Sequence, residues 1–195
     1  MKKAIALLVM TVFVATAAVC MATDAPTAAP AKPAAPAAPA APAVPVPPPP
    51  PPVASTPGIM VPAWEAKAAD SDQMFSSEKL KGQAYGIVFV NASCASCRSE
   101  MGGLVKMKFD KFTLIVAAVD AKLDRILANY RDQQKVMFPI IDDSKFALAK
   151  KFGVSFSPAS VIVGADGKLE VWNAGFTEEN AEKVMESFSK YAVKK

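Results

Sequence analysis

Past residue 80 the chain alternates between two patterns of apolar residues. Tyr85 to Val90 and Phe112 to Val119 are unbroken apolar stretches rich in β-branched and aromatic side chains, and they predict strands buried on both faces. From Cys97 to Phe109 the period changes, and Met101, Leu104, Val105 and Lys108 fall on one side of a helix. Asp120 can cap a second helix, in which Leu123, Ile126, Leu127 and Tyr130 follow i, i+3, i+4, i+7 spacing. Phe138 to Ile141 predicts a brief strand, and Asp143-Ser144 opens a short helix running through Phe152. Ala159 to Val163 and Lys168 to Trp172 predict strands joined across Ala165-Asp166-Gly167, a hairpin signal. Thr177 caps a last helix, with Glu178 and Glu179 in its first turn and Ala181, Val184, Met185 and Phe188 on its apolar face. The order β-α-β-α-β-α-β-β-α predicts an α/β domain with a mixed central sheet flanked by helices. Its parallel part is joined by right-handed crossovers, and a closing hairpin adds antiparallel strands.

The front of the chain is a different material. Of 17 prolines, all but Pro139 and Pro158 lie at or before Pro62, and residues 24–57 are nearly pure Ala, Pro and Val. Such a stretch buries too little side chain to offset its ordering entropy, and its prolines favour extended polyproline II. The expected organisation is therefore a signal peptide or membrane anchor over 1–22, a disordered Pro/Ala-rich linker over 23–61, and a folded domain over 62–195. Met1-Lys2-Lys3 followed by the uncharged run Ala4 to Val19 has the layout of a secretory signal. Three fates are open for it: cleavage after Ala22, retention as a bilayer-spanning anchor, or lipidation at Cys20. Each takes the domain out of the cytosol. The linker is either a stalk that holds the domain away from a membrane or a tether of no particular length.

Composition then excludes several chemistries. The chain has no histidine, so it holds no Ser-His or Cys-His nucleophile pair, no His metal ligand and no C-x-x-C-H haem attachment site. The formal charge of +4 is slight, and no basic run or basic–aromatic stripe stands out, so nucleic acid is not an expected partner.

The candidate chemistry is Cys94-Ala95-Ser96-Cys97, placed where a predicted strand ends and a helix begins. A helix N-terminus carries unpaired N–H groups and a partial positive charge, which favour a thiolate. Cys94 lies at the exposed end and reads as the attacking sulfur; Cys97, about a turn inward, reads as the resolving thiol. Zinc or an iron–sulfur cluster would need about four ligands, and no second pair is at hand, so no metal is expected. An inert structural disulfide stays open, since an exported domain permits one.

Several motifs together resemble the exported thiol-disulfide oxidoreductases of the TlpA/ResA type, which have a thioredoxin fold. They are Phe75-Ser76 with Leu80-Lys81-Gly82, then Phe89-Val90-Asn91-Ala92-Ser93-Cys94-Ala95-Ser96-Cys97-Arg98-Ser99-Glu100-Met101. Further on stand Val116 to Asp120, Phe138 to Asp142, Phe152-Gly153-Val154 with Pro158, and Asp166-Gly167-Lys168 with Gly175. The resemblance spans Phe75 to Tyr191. It implies a redox-active Cys94–Cys97 disulfide with no cofactor, and a cis-proline loop at Ser157-Pro158 that packs beside the cysteines and presents backbone groups to a bound peptide. It also implies disulfide-bearing protein substrates, such as apocytochrome c or copper-site proteins, and a membrane thiol electron donor, in a periplasmic or membrane-tethered setting.

Glu100 stands three residues past Cys97, where several members of that family carry an active-site acid that exchanges protons with the pair. The alternative is a surface acid drawn to the first turn by the helix dipole. The chain departs from the family's pattern at four places. Ser93 stands where Trp usually precedes the first cysteine, Ala-Ser separates the cysteines, Gly102-Gly103 replaces a helix-kinking proline, and Val88 occupies the position of a buried strand acid in thioredoxin proper. Reduction of protein disulfides is the function expected. A non-catalytic binding module on a stalk is the alternative from another class. A peroxiredoxin-like peroxidase is a third reading, and the residues ahead of Cys94 lack the Pro-x-x-x-Thr-x-x-Cys pattern that cradles peroxide.

Overall fold

The computed structural model describes residues 55–193. The expectations for the leader, for Cys20 and for most of the linker fall outside the described residues. No helix among the described residues is long and apolar enough to cross a membrane.

A short antiparallel hairpin, β1 (Glu65–Lys67) and β2 (Met74–Ser76), comes first. The central sheet follows with β3 (Ala84–Val90), α1 (Ala95–Leu104), β4 (Phe112–Ala118), α2 (Leu123–Ile126), β5 (Ile140–Asp142), α3 (Ala147–Lys151), β6 (Ala159–Val163), β7 (Leu169–Ala174) and α4 (Ala181–Ser189). Its strand order is β5-β4-β3-β6-β7. The first three strands are parallel, β6 is antiparallel to β3, and β7 closes the hairpin. This is the mixed sheet of a thioredoxin fold.

Every residue from Tyr85 to Val90 is buried, and alternate residues feed two cores. Tyr85, Ile87 and Phe89 pack with Trp64, Leu148 and Phe152 on one face. Val88 and Val90 pack with Cys97, Met101, Leu104, Tyr130 and Phe188 on the other, beneath α1, α2 and α4. Gly86 is required by this second core, because a Cβ there would stand 2.8 Å from the Phe112 ring and 2.9 Å from that of Phe188.

The elements differ from the sequence expectation at their ends. The first helix stops at Leu104 rather than Phe109. Asp120 does not cap α2; its carboxylate accepts the Lys122 N–H at 2.9 Å in a local turn and the Ala92 N–H at 3.1 Å. Beyond Ile126 the second helix widens into a π-helix over Leu127–Gln133, with the Gln134 N–H bonded five residues back to the Asn129 carbonyl at 3.2 Å. Asp143 does serve α3, accepting the Leu148 and Ala149 N–H groups at 2.8 Å each, but the helix starts only after Phe146, which is left-handed at φ 57°. The Thr177 side chain caps nothing; its carbonyl accepts the Asn180 and Ala181 N–H groups, and α4 begins at Ala181. Gly103 leaves room for α4, since a Cβ there would meet the Met185 sulfur at 2.6 Å.

Backbone pairing begins ahead of Pro62. The Gly58 N–H bonds to the Leu169 carbonyl at 2.7 Å, the Leu169 N–H to Ile59 at 2.9 Å, and the Val61 N–H to Gly167 at 3.1 Å. Gly58 to Val61 therefore runs along the outside of the β6–β7 hairpin, beside Gly167 to Leu169.

Candidate active site

The exit of β3 sets the site. The strand ends at Val90, and a short loop delivers Cys94 to the N-cap of α1 with extended backbone, φ −79° and ψ 106°. A helix N-terminus has orphan N–H groups, and the cap residue ordinarily supplies an oxygen to one of them. Here the acceptor is sulfur: the Cys97 N–H points at Cys94 Sγ from 2.9 Å. Cys94 and Cys97 form a disulfide with Cα atoms 5.2 Å apart. Cys94 is partly exposed and Cys97 wholly buried, the asymmetry expected of an attacking and a resolving sulfur.

Glu100 lies on the buried side of the same helix, with Cys97, Met101 and Leu104. It is not a surface acid. It is fully shut from solvent, and among the described residues neither carboxylate oxygen has a hydrogen-bond partner. Burial pushes its pKa from 4.5 to about 7, partly opposed by the nearby Ser160 hydroxyl. Ser160 is the cross-strand neighbour of Val88 and receives the Asn173 Nδ2–H at 3.4 Å. The strand position that carries an acid in thioredoxin proper is thus apolar, and a carboxyl group from the helix above fills the region beside it.

The Ser157–Pro158 peptide bond is cis. Because Phe89 pairs with Ala159, Pro158 stands across from the end of β3, whose exit leads to Cys94. The Pro158 carbonyl accepts the Gly175 N–H at 2.9 Å. Among the described residues neither backbone group of Ser157 has a hydrogen-bond partner. All five residues singled out from the sequence, Cys94, Cys97, Glu100, Ser157 and Pro158, therefore collect at one end of the sheet.

Four further residues hold the loop and were not read from the sequence as site residues. Ala92 is gripped on both sides, its N–H by Asp120 Oδ2 and its carbonyl by Asn129 Nδ2 at 2.7 Å. The Tyr130 hydroxyl donates to the Asn91 carbonyl at 3.0 Å, and Gln134 Nε2 donates to the Arg98 carbonyl at 2.8 Å. Burial raises the Tyr130 pKa, with Arg98 acting against the shift and Glu100 adding to it. Asparagine and glutamine carry no sequence signal for this task, because each binds a backbone group more than thirty residues away.

A thioredoxin fold with a Cys-x-x-Cys disulfide at the N-terminus of the helix after its central strand defines a class, the thiol-disulfide oxidoreductase type. The chain belongs to the AhpC/TSA family, whose model matches residues 57–171. The fold is shared with the thioredoxin domain of a thiol-disulfide oxidoreductase from Bacteroides vulgatus, with 18% identity over 71% of this chain and 99% of that one and a TM-score of 0.58. It is also shared with StoA from Bacillus subtilis, with 21% identity, 68% and 97% coverage and a TM-score of 0.51. A third neighbour is a secreted Mycobacterium tuberculosis disulfide oxidoreductase homologous to E. coli DsbE, with 19% identity, 64% and 95% coverage and a TM-score of 0.52. At these identities the likeness establishes the fold. No curated protein matches the sequence. Family and neighbours agree with the resemblance to the TlpA/ResA type.

Proposed function

We propose that this protein is an exported thiol-disulfide oxidoreductase that reduces disulfides in protein substrates. The observation that carries this reading is the asymmetric pair at the head of α1, with Cys94 partly exposed at the N-cap, Cys97 buried behind it, and an unpartnered carboxyl group on the same buried side. In the reduced protein the Cys94 thiolate attacks a substrate disulfide. A Cys94–substrate bond forms, and one substrate sulfur leaves as a thiolate that takes up a proton. Cys97 gives its proton to the Glu100 carboxylate and attacks Cys94 Sγ. The second substrate thiol departs and the Cys94–Cys97 disulfide remains, two electrons having passed to the substrate. A dithiol donor on the membrane side restores the pair. A group titrating near neutrality suits Glu100 to both directions of proton movement. Ser157 and Pro158 form the backbone edge on which the substrate chain lies.

Export is the reading of the leader, with a membrane tether as the outcome of two of its three fates, and a secreted neighbour of like fold is in keeping with export. Apocytochrome c and copper-site proteins are the substrates suggested by the TlpA/ResA resemblance. A peroxidase is disfavoured, because Asn91 stands where the peroxide-binding threonine would precede Cys94.

The test is the reduction potential of the full chain, equilibrated with defined thiol buffers. A value near or below that of thioredoxin, about −270 mV, marks a reductant, and one near −120 mV marks an oxidant and reverses the direction proposed. Failure to exchange at all would put the binding-module reading first. Rapid peroxide consumption by the reduced protein would put the peroxidase first.

A further inference from the structure

We infer that the π-helical turn Leu127–Gln133 is a clamp on the cysteine loop, with Asn129, Tyr130 and Gln134 as positioning residues that set the reactivity of Cys94. This deepens the redox reading and rests on it. The three residues donate to three carbonyls that bracket the Cys-x-x-Cys turn: Asn91 and Ala92 before Cys94, and Arg98 just after Cys97. The bracketing is double, because the Arg98 N–H also bonds to the Cys94 carbonyl at 3.3 Å. Asp120 completes the grip from the end of β4.

Helix geometry explains why the turn is wide. An α-helix brings i and i+4 to the same face, whereas Asn129 and Gln134 are five apart and joined by an i to i+5 bond. The extra residue lets Asn129, Tyr130 and Gln134 all reach the 91–98 segment at once. Widened turns cost regular hydrogen bonding, and they recur where a side chain has to be delivered to a site. Tyr130 is wholly buried and its hydroxyl is spent on the loop rather than on solvent.

The consequence for Cys94 is directional. The Cys97 N–H points at the Cys94 sulfur in the disulfide, and in the reduced protein the same donor stabilises a Cys94 thiolate, provided the first turn of α1 is held relative to residues 91–92. Loosening the clamp weakens that bond, disfavours the thiolate, and so disfavours the reduced form.

The experiment compares the full chain with Asn129→Leu, Tyr130→Phe and Gln134→Met, each close in size and lacking the donor, and with Gln133→Met on the exposed side as a control. Two quantities are read: the equilibrium constant with a thiol buffer, and the rate of Cys94 alkylation at fixed neutral pH in the reduced protein. The expected result is a threefold to tenfold change toward the disulfide in the donor-less variants, tenfold being about 30 mV, with slower alkylation to match and the control unchanged. Variants that are folded and lie within twofold of wild type in both quantities overturn the clamp. If Asn129→Leu fails to fold, Tyr130→Phe and Gln134→Met decide. If wild type itself does not exchange with thiol buffers, the redox reading falls, and the clamp is then decided by alkylation alone, equal rates in wild type and Gln134→Met overturning it.

Discussion

The Cys97 amide points at the Cys94 sulfur from 2.9 Å, so the inner cysteine's backbone serves the outer one. The same residue whose thiol resolves the mixed disulfide holds, through its N–H, the sulfur it will later attack. In the reduced protein a small alkylating reagent should therefore modify Cys94 and spare the wholly buried Cys97. Peptide mass spectrometry after brief treatment would show at least a tenfold preference. A Cys97→Ser protein should accumulate a covalent adduct with a disulfide substrate, and a Cys94→Ser protein should not.

Glu100 should impose a pH dependence on stability. Its folded value is about 7 against 4.5 ordinarily, because burial favours the neutral acid. Between those values the native protein holds a proton that the unfolded chain has released, so stability falls as pH rises through that window and is level on either side. The loss can reach on the order of 3 kcal/mol. Urea unfolding of the oxidised protein from pH 4.5 to 7.5 should show wild type declining relative to Glu100→Gln. Parallel curves would show that the carboxyl group is solvated in solution.

Gly86→Ala should destabilise the domain without touching its redox chemistry. The new methyl group meets two aromatic rings closer than real Cβ atoms approach, and both rings are packed in the core. Overpacking of this kind costs about 1–3 kcal/mol. Denaturant titration should show that loss, while the thiol equilibrium of the folded protein stays at its wild-type value.

Lys135 follows the last turn of the π-helix at φ 56°, a conformation that glycine adopts without a Cβ penalty. The side chain is exposed, so little packing is lost on removing it. Lys135→Gly should therefore raise stability by up to about 1 kcal/mol, seen as a higher urea midpoint with unchanged slope. A lower midpoint would mean that the lysine stem contributes contacts outweighing the backbone strain.

The long apolar strands were legible because burial on both faces leaves no polar residue to blur them, as in Ile87 to Val90 and Ile115 to Ala118. The hairpin turn at Ala165-Asp166-Gly167 was legible for a local reason, Gly167 having positive φ. The cysteine pair could be placed because strand exit and helix start adjoin in sequence. The β1–β2 hairpin was not legible: each strand is three residues long, too short for a period to show. The π-helix was not legible either, since Leu123, Ile126, Leu127 and Tyr130 fit an ordinary helix. Its side chains bond to residues 91–98, and no local pattern encodes those bonds. Asp120 resembles a cap because aspartate before a helix usually is one; here its second oxygen is claimed by Ala92, which follows the neighbouring strand β3.

The pairing of Gly58 to Val61 along the β6–β7 hairpin fixes how the domain can be handled. Strand β6 runs from Ala159, beside the end of β3, to Val163 at that hairpin, a span of about 13 Å. Load applied to the chain ahead of Gly58 is delivered to one pole of the sheet, and Cys94 sits at the other. Pulling, fusion or immobilisation through the N-terminal side leaves the disulfide facing away from the point of attachment, open to approach by a large folded partner.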